Sequence, residues 1–122
     1  MKLHLTTAEN NHLITAYDEG YIEINKQRYV QNLIVMPQTL IHDWQAVSFA
    51  ELSNEHFRQI ADLKPEVVLL GTGIAHLFLH PRHYQCLTDN GIALECMSTA
   101  AACRTYNILM SEGRIVAAAL IL

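Results

Sequence analysis

"VVLL", residues 67–70, runs straight into Gly71-Thr72-Gly73. Four apolar residues in a row, with no polar residue between them, are the pattern of a strand covered on both faces. The glycines that follow end it in a tight loop.

Downstream, "IAHLFL" (74–79) reads as a short extended stretch, and Pro81 takes a first helical position. Tyr84 and Leu87 form that helix's inner face, and Gly91 stands where a C-terminal glycine cap belongs. "IALEC" (92–96) is the next strand. Ser98 or Thr99 caps a third helix, with Ala102, Tyr106 and Leu109 at helical spacing, and Gly113 closes it. "RIVAAALI" (114–121) is the last strand.

Upstream, Ser53 caps a helix whose stripe is Phe57, Ile60, Ala61 and Leu63, and Pro65 stops it. Strand, helix, strand, helix, strand requires parallel pairing through right-handed crossovers. Residues 12–36 instead alternate, with Asp18-Glu19-Gly20 and Asn25-Lys26 as turns, which predicts an antiparallel meander. Pro37 ends that meander, and "LIHDWQAV" (40–47) reads as a short extended piece. The expectation is one α/β domain over residues 1–122, a layered sheet with an N-terminal antiparallel β-meander.

The composition narrows the function. Hydrophobic residues make up 51% of the chain and charged residues only 16%, which points to a large interior or a face covered by a partner. A net charge of −4, with eight scattered basic residues, argues against nucleic acid. Cys86, Cys96 and Cys103 are an odd count without a close pair, as in a reduced, cytoplasmic protein. The N-terminus carries neither a signal-peptide run nor an Arg-rich transit face, and "IVAAALIL" (115–122) is too short to span a bilayer.

In an open parallel sheet, ligands bind beyond the carboxyl ends of the strands. Two loops leave such ends here, Gly71-Thr72-Gly73 and Met97-Ser98-Thr99, and they are neighbours if their strands pair. The free N–H groups at the start of the third helix suit an anion, and Ala100 to Ala102 allow close approach. Arg104 offers a planar fork, and a Cys103 thiol facing the same way would be acidified. The candidate anion pocket is therefore Gly71, Thr72, Gly73, Ser98, Thr99, Cys103 and Arg104. Structural roles compete with it: turn and packing for the glycines, a carbonyl cap or a pairing with Glu95 or Glu112 for Arg104, and a small buried hydrophobe for Cys103.

Other chemistry fits poorly. His76 occupies the third-glycine position of a dinucleotide fingerprint, so "GTGIAH" fails that motif. His76, His80 and His83 share no helical face and lack a completing carboxylate or thiolate, and His80 suits the cap before Pro81. Cys103 has no histidine brought to it, Asp18-Glu19 reads as a solvated turn, and Trp44 as packing. The sequence names no catalytic residue, no metal ligand and no cofactor.

With "LLGTG", "GIALECM" and "TAAACRTYNILMSEGRIVAAAL" in order, the whole chain resembles a small domain-of-unknown-function family. That family includes a mitochondrial respiratory complex I assembly factor and an adipogenesis-associated animal protein. The "GYIEINKQRYVQNLIVMP" meander is part of the likeness, and residues 99–120 are its most specific part. The matching positions are Gly71, Thr72, Gly73, Ala102, Cys103, Arg104, Thr105, Tyr106 and Asn107. The resemblance implies a three-layer sandwich with a central mixed, mostly parallel sheet. It implies no enzyme activity and no agreed catalytic residue, and for the mitochondrial member a role in assembly through protein partners. Two functions follow as expectations. One is a non-catalytic interaction or assembly-type protein with a protein partner, and homodimers at high concentration. The other is a small-anion or metabolite binder, or an undiscovered enzyme, using the cleft between Gly71–Gly73 and the helix start at Ser98–Arg104.

Overall fold

A computed structural model describes residues 11–46 and 48–122. Residues 1–10, read above for targeting signals, and Val47, the last residue of "LIHDWQAV", lie outside the described residues. Three strands, β1 (Ile14–Asp18), β2 (Tyr21–Ile24) and β3 (Gln27–Tyr29), form a small antiparallel sheet. Five more, β4 (Leu33–Met36), β5 (Thr39–Ile41), β6 (Val67–Gly71), β7 (Ala93–Met97) and β8 (Val116–Leu120), build the central sheet in the order β5-β4-β8-β6-β7. Its helices are α1 (Asn54–Asp62), α2 (Gln85–Asp89) and α3 (Thr99–Ser111).

The central sheet is mixed. β6 pairs parallel with both β7 and β8, while β4 pairs antiparallel with β8 and β5. The fourth strand of the expected meander thus leaves it for the main sheet. The reason is in its composition: all four residues of "LIVM" are buried, so this strand needs cover on both faces, as β6 does. Asn32 fixes the switch, donating from Nδ2 to the Ala46 carbonyl (2.7 Å) and accepting from the Leu122 N–H (2.8 Å).

Because side chains alternate along a strand, the sheet separates two cores. Leu33, Val35, Leu69, Ala118 and Leu120 face α3 and the small sheet, which contributes Ile14, Ile22 and Ile24. Ile34, Val68, Leu70, Ala117 and Ala119 face the opposite layer, where Phe57 and Ile60 of α1 and Leu87 of α2 pack. Each fully buried side chain of this kind contributes roughly 1.5–3 kcal/mol. The arrangement is the expected three-layer α/β sandwich.

Local signals set the ends. Ser53 N–H donates to His56 Nδ1 (3.1 Å) at the start of α1, and His80 Nδ1 accepts from the Arg82 N–H (3.1 Å) ahead of the short 3₁₀ turn Pro81–Tyr84. Asn54 links the two segments on that face, donating to the Arg82 carbonyl (2.7 Å) and accepting from the Cys86 N–H (3.0 Å).

Candidate functional site

The parallel register sets Gly71 of β6 opposite Met97 of β7, so the loops leaving both strands meet at one sheet edge. They are laced together through Thr99, the first residue of α3. Its N–H donates to the Gly73 carbonyl (2.8 Å), and its hydroxyl donates to the Ile121 carbonyl (2.6 Å) while accepting from the Gly73 N–H (2.8 Å). Ser98 caps the helix by accepting from the Ala101 N–H (3.2 Å).

Thr72 organises the loop beyond. Its hydroxyl donates to the Ala75 carbonyl (2.6 Å) and accepts from the Leu77 N–H (3.1 Å). Gly71 answers to packing: a Cβ there would lie 3.0 Å from Thr99 Cα, Thr99 Oγ1 and Leu120 Cδ2. Gly73 answers to conformation, with φ at +96° and open space around it.

Above this edge lies an open cleft of about 560 Å³. It is lined by Gly73 and Ile74 from the loop after β6, by Thr99 and Ala100 from the start of α3, and by Ile121 and Leu122 beyond β8. The β1–β2 hairpin tip, Tyr17 to Gly20, also lines it, and with it the Asp18-Glu19 pair expected only as a solvated turn. It puts Asp18 and Glu19 on the rim, and neither has a cationic partner among the described residues. Among the described residues, the Asp18 carboxylate accepts from the Glu19 N–H (2.8 Å).

Of the seven predicted pocket residues, Gly71, Thr72, Gly73, Ser98 and Thr99 are brought together at this edge, and of these Gly73 and Thr99 line the cleft. Arg104 does not line it. It is exposed on α3 and donates from Nη1 to the Tyr17 hydroxyl (3.2 Å), so it acts on the cleft only through Tyr17. Cys103 is a correction. The expectation of an acidified thiol assumed a side chain facing the cleft, but Cys103 points into the core among Leu69, Ala118 and Tyr106. Burial pushes its thiol up to about 12, and the nearby Arg104 charge offsets little of that. It is protonated and shielded at neutral pH.

The rest of the "CRTYN" run ties α3 to β1. The Tyr106 hydroxyl donates to the His12 carbonyl (2.7 Å), and the Asn107 side chain accepts from the Ile14 N–H (3.0 Å) and donates to the Ile14 carbonyl (2.8 Å). These residues carry the hairpin that walls the cleft.

No group of three His, Cys, Asp or Glu side chains that could hold a metal occurs among the described residues. His76 lies against Phe78, with ring centroids 4.5 Å apart. The loop that bears them is conspicuously apolar at its surface: Ile74 and Phe78 are each 81% exposed. No helix among the described residues is long and apolar enough to cross a membrane.

The geometry is that of an α/β sandwich with an open, apolar cleft where two parallel strands end. A family profile described as "Protein of unknown function (DUF498/DUF598)" matches residues 14–121, and the chain belongs to that family. Among curated relatives, the mouse (Mus musculus) NADH dehydrogenase [ubiquinone] 1 alpha subcomplex assembly factor 3 is 36% identical over 110 residues. That alignment covers 88% of this chain and 59% of the relative, so the chain spans about three-fifths of the mouse protein's length. A crystal structure of a Bordetella parapertussis protein superposes with a TM-score of 0.85 at 39% identity, covering 91% of this chain and 95% of that one. An NMR structure of a Xanthomonas campestris protein does so with 0.82 at 38% identity, covering 93% and 86%.

Proposed function

We propose that this chain is a non-catalytic interaction protein that helps assemble or stabilise a larger complex in the cytoplasm, residues 1–122 acting as one domain. The observation that carries this reading is the loop after β6. Ile74, which lines the cleft, and Phe78, four residues on in the same loop, are both 81% exposed, on a backbone pinned at Ala75 and Leu77 by the Thr72 hydroxyl. Large apolar side chains displayed on an ordered loop are suited to a protein partner, because little ordering entropy remains to be lost on contact. The mouse relative's name, an assembly factor, agrees with it. The three cysteines, none of them disulfide-bonded, suit a reducing compartment.

The test is purification of the chain from its own cells, beside the Ile74→Ser/Phe78→Ser form, followed by native mass spectrometry. The reading expects a discrete heteromeric complex with one stoichiometric partner, lost in the double variant while its melting temperature is unchanged. Monomer or homodimer alone in both samples would overturn it.

A second reading uses the same cleft for a small molecule, and the cleft's size of about 560 Å³ favours it. Gly73, Thr99 and Ala100 would contact the ligand beside the α3 start. An anion is opposed by the carboxylates of Asp18 and Glu19, so Arg104, acting through Tyr17, would have to outweigh them. A small adduct retained by the wild type and absent from Arg104→Ala would support the anion form of this reading.

A further inference from the structure

We infer that the cleft docks a peptide segment of a protein partner that carries an apolar side chain next to a lysine or arginine. This rests on the interaction reading above and names the chemistry of the partner.

Two properties of the cleft converge on such an occupant. The first is the layout of apolar surface. Ile74, Ala100, Ile121 and Leu122 line the cleft, and the loop that contributes Ile74 goes on to carry two more exposed apolar side chains, Leu77 (41% exposed) and Phe78. A small molecule in the cleft would leave these loop side chains bare, whereas a peptide segment can seat one side chain in the cleft and cover Leu77 and Phe78 with the residues that follow.

The second is charge. Asp18 and Glu19 line the same cleft, and neither has an ion-pair partner among the described residues. Two guanidinium groups are engaged with tyrosines of this hairpin rather than with its carboxylates: Arg104 Nη1 donates to the Tyr17 hydroxyl, and Arg28 lies over the Tyr21 ring, 4.1 Å from its centroid. Two adjacent carboxylates beside an apolar pocket select a cation on the incoming chain and repel an acidic one. The hairpin that presents them is held firmly, since Asn107 satisfies both polar backbone groups of Ile14 at the base of β1. The backbone that presents the carboxylates is thereby anchored to α3, whose first turn lines the same cleft.

The experiment is a random-peptide display selection on the purified full chain. Synthetic copies of the winning peptides are then titrated against the wild type, Asp18→Asn/Glu19→Gln, Asp18→Lys/Glu19→Lys and Ala100→Trp, with backbone amide shifts mapping the site. The expected result is enrichment of an aromatic or large aliphatic residue within a few positions of Lys or Arg. Shifts should centre on Gly73, Ala100 and Ile121. Affinity should fall several-fold on neutralising the rim, by about tenfold or more on reversing it, and be lost when Ala100→Trp fills the cleft.

Acidic or uncharged winners that bind in the cleft, indifferent to the rim variants, would overturn the basic-segment inference and leave the interaction reading standing. No enrichment, or winners that bind elsewhere, would overturn the inference as well; the interaction reading then stands or falls on the Ile74/Phe78 variant. Cleft binding by free alkylamines as tight as by the peptides would assign the site to small molecules and overturn the peptide.

Discussion

Asn107 closes both backbone hydrogen-bonding groups of Ile14 with one side-chain amide, accepting the N–H at 3.0 Å and donating to the carbonyl at 2.8 Å. A side chain of α3 thus does for the first residue of β1 what a neighbouring strand would do. This joins the small sheet to the main body and sets where the hairpin tip falls over the cleft.

Asn107→Leu should cost about 1–3 kcal/mol, because it leaves both groups of Ile14 without partners. Asn107→Asp should also destabilise, since a carboxylate keeps the acceptor but faces the Ile14 carbonyl without a donor. Urea titration measures the loss. Hydrogen exchange should show it concentrated in Ile14–Asp18, and uniform exchange changes would contradict the anchoring role.

Thr99→Val should cost about 1–3 kcal/mol, because the Gly73 N–H and Ile121 carbonyl lose their shared hydroxyl. Gly71→Ala should cost a similar roughly 1–3 kcal/mol by overpacking against Thr99 and Leu120. Gly73→Ala meets no atom and should cost about 1–2 kcal/mol through its φ of +96° alone. Crystal structures would separate the two glycines: Gly71→Ala displaces the start of α3, and Gly73→Ala leaves it in place.

Alkali should unfold this protein through its buried acids. Cys103 is raised from 9.0 to about 12, and burial raises the Tyr106 phenol too. Above the unfolded-state value the denatured chain releases the thiol proton while the native chain keeps it, so stability falls as pH rises. The slope for one such group is about 1.4 kcal/mol per pH unit at most, across the window from 9.0 to about 12. Denaturation of Cys103→Ala should show a shallower decline over that window; an unchanged slope would refute the assignment. At neutral pH an alkylating reagent should label Cys103 only at the rate of opening.

On the acid side, Glu66 is held below its ordinary value of 4.5, first by the side-chain hydrogen bond from Arg114 (2.9 Å) and then by the Ile115 N–H. Its stabilising effect is present above the unfolded-state value and disappears as pH falls through the lowered one. The pair is solvent-exposed and screened, so Arg114→Ala should change stability only slightly. An NMR titration should nevertheless show the Glu66 carboxyl moving up toward 4.5.

Much of the scaffold was legible in the residues. "VVLL" announced a doubly covered strand, Ser53, His80 and Ser98 marked helix starts, and Gly91 and Gly113 marked ends, because caps and strand patterns are written in local chemistry. That "LIVM" would leave the meander was also in principle visible, since all four residues lack a polar alternate. The cleft was half legible: parallel pairing of β6 and β7 brings Gly73 to Thr99 by topology alone. The direction of Cys103 was not legible, because in an alanine-rich helix start no strong apolar stripe says which side meets the sheet.

The sequence by itself determined which segments become strands and helices and that two loops share a sheet edge, since those follow from periodicity and chain connectivity. Only the tertiary structure decided that the Asp18–Glu19 turn walls the cleft and that Arg104 is engaged by Tyr17. Both depend on the angle at which the small sheet docks against α3, and that angle is set by contacts about ninety residues apart in the chain, Asn107 with Ile14 and Tyr106 with His12.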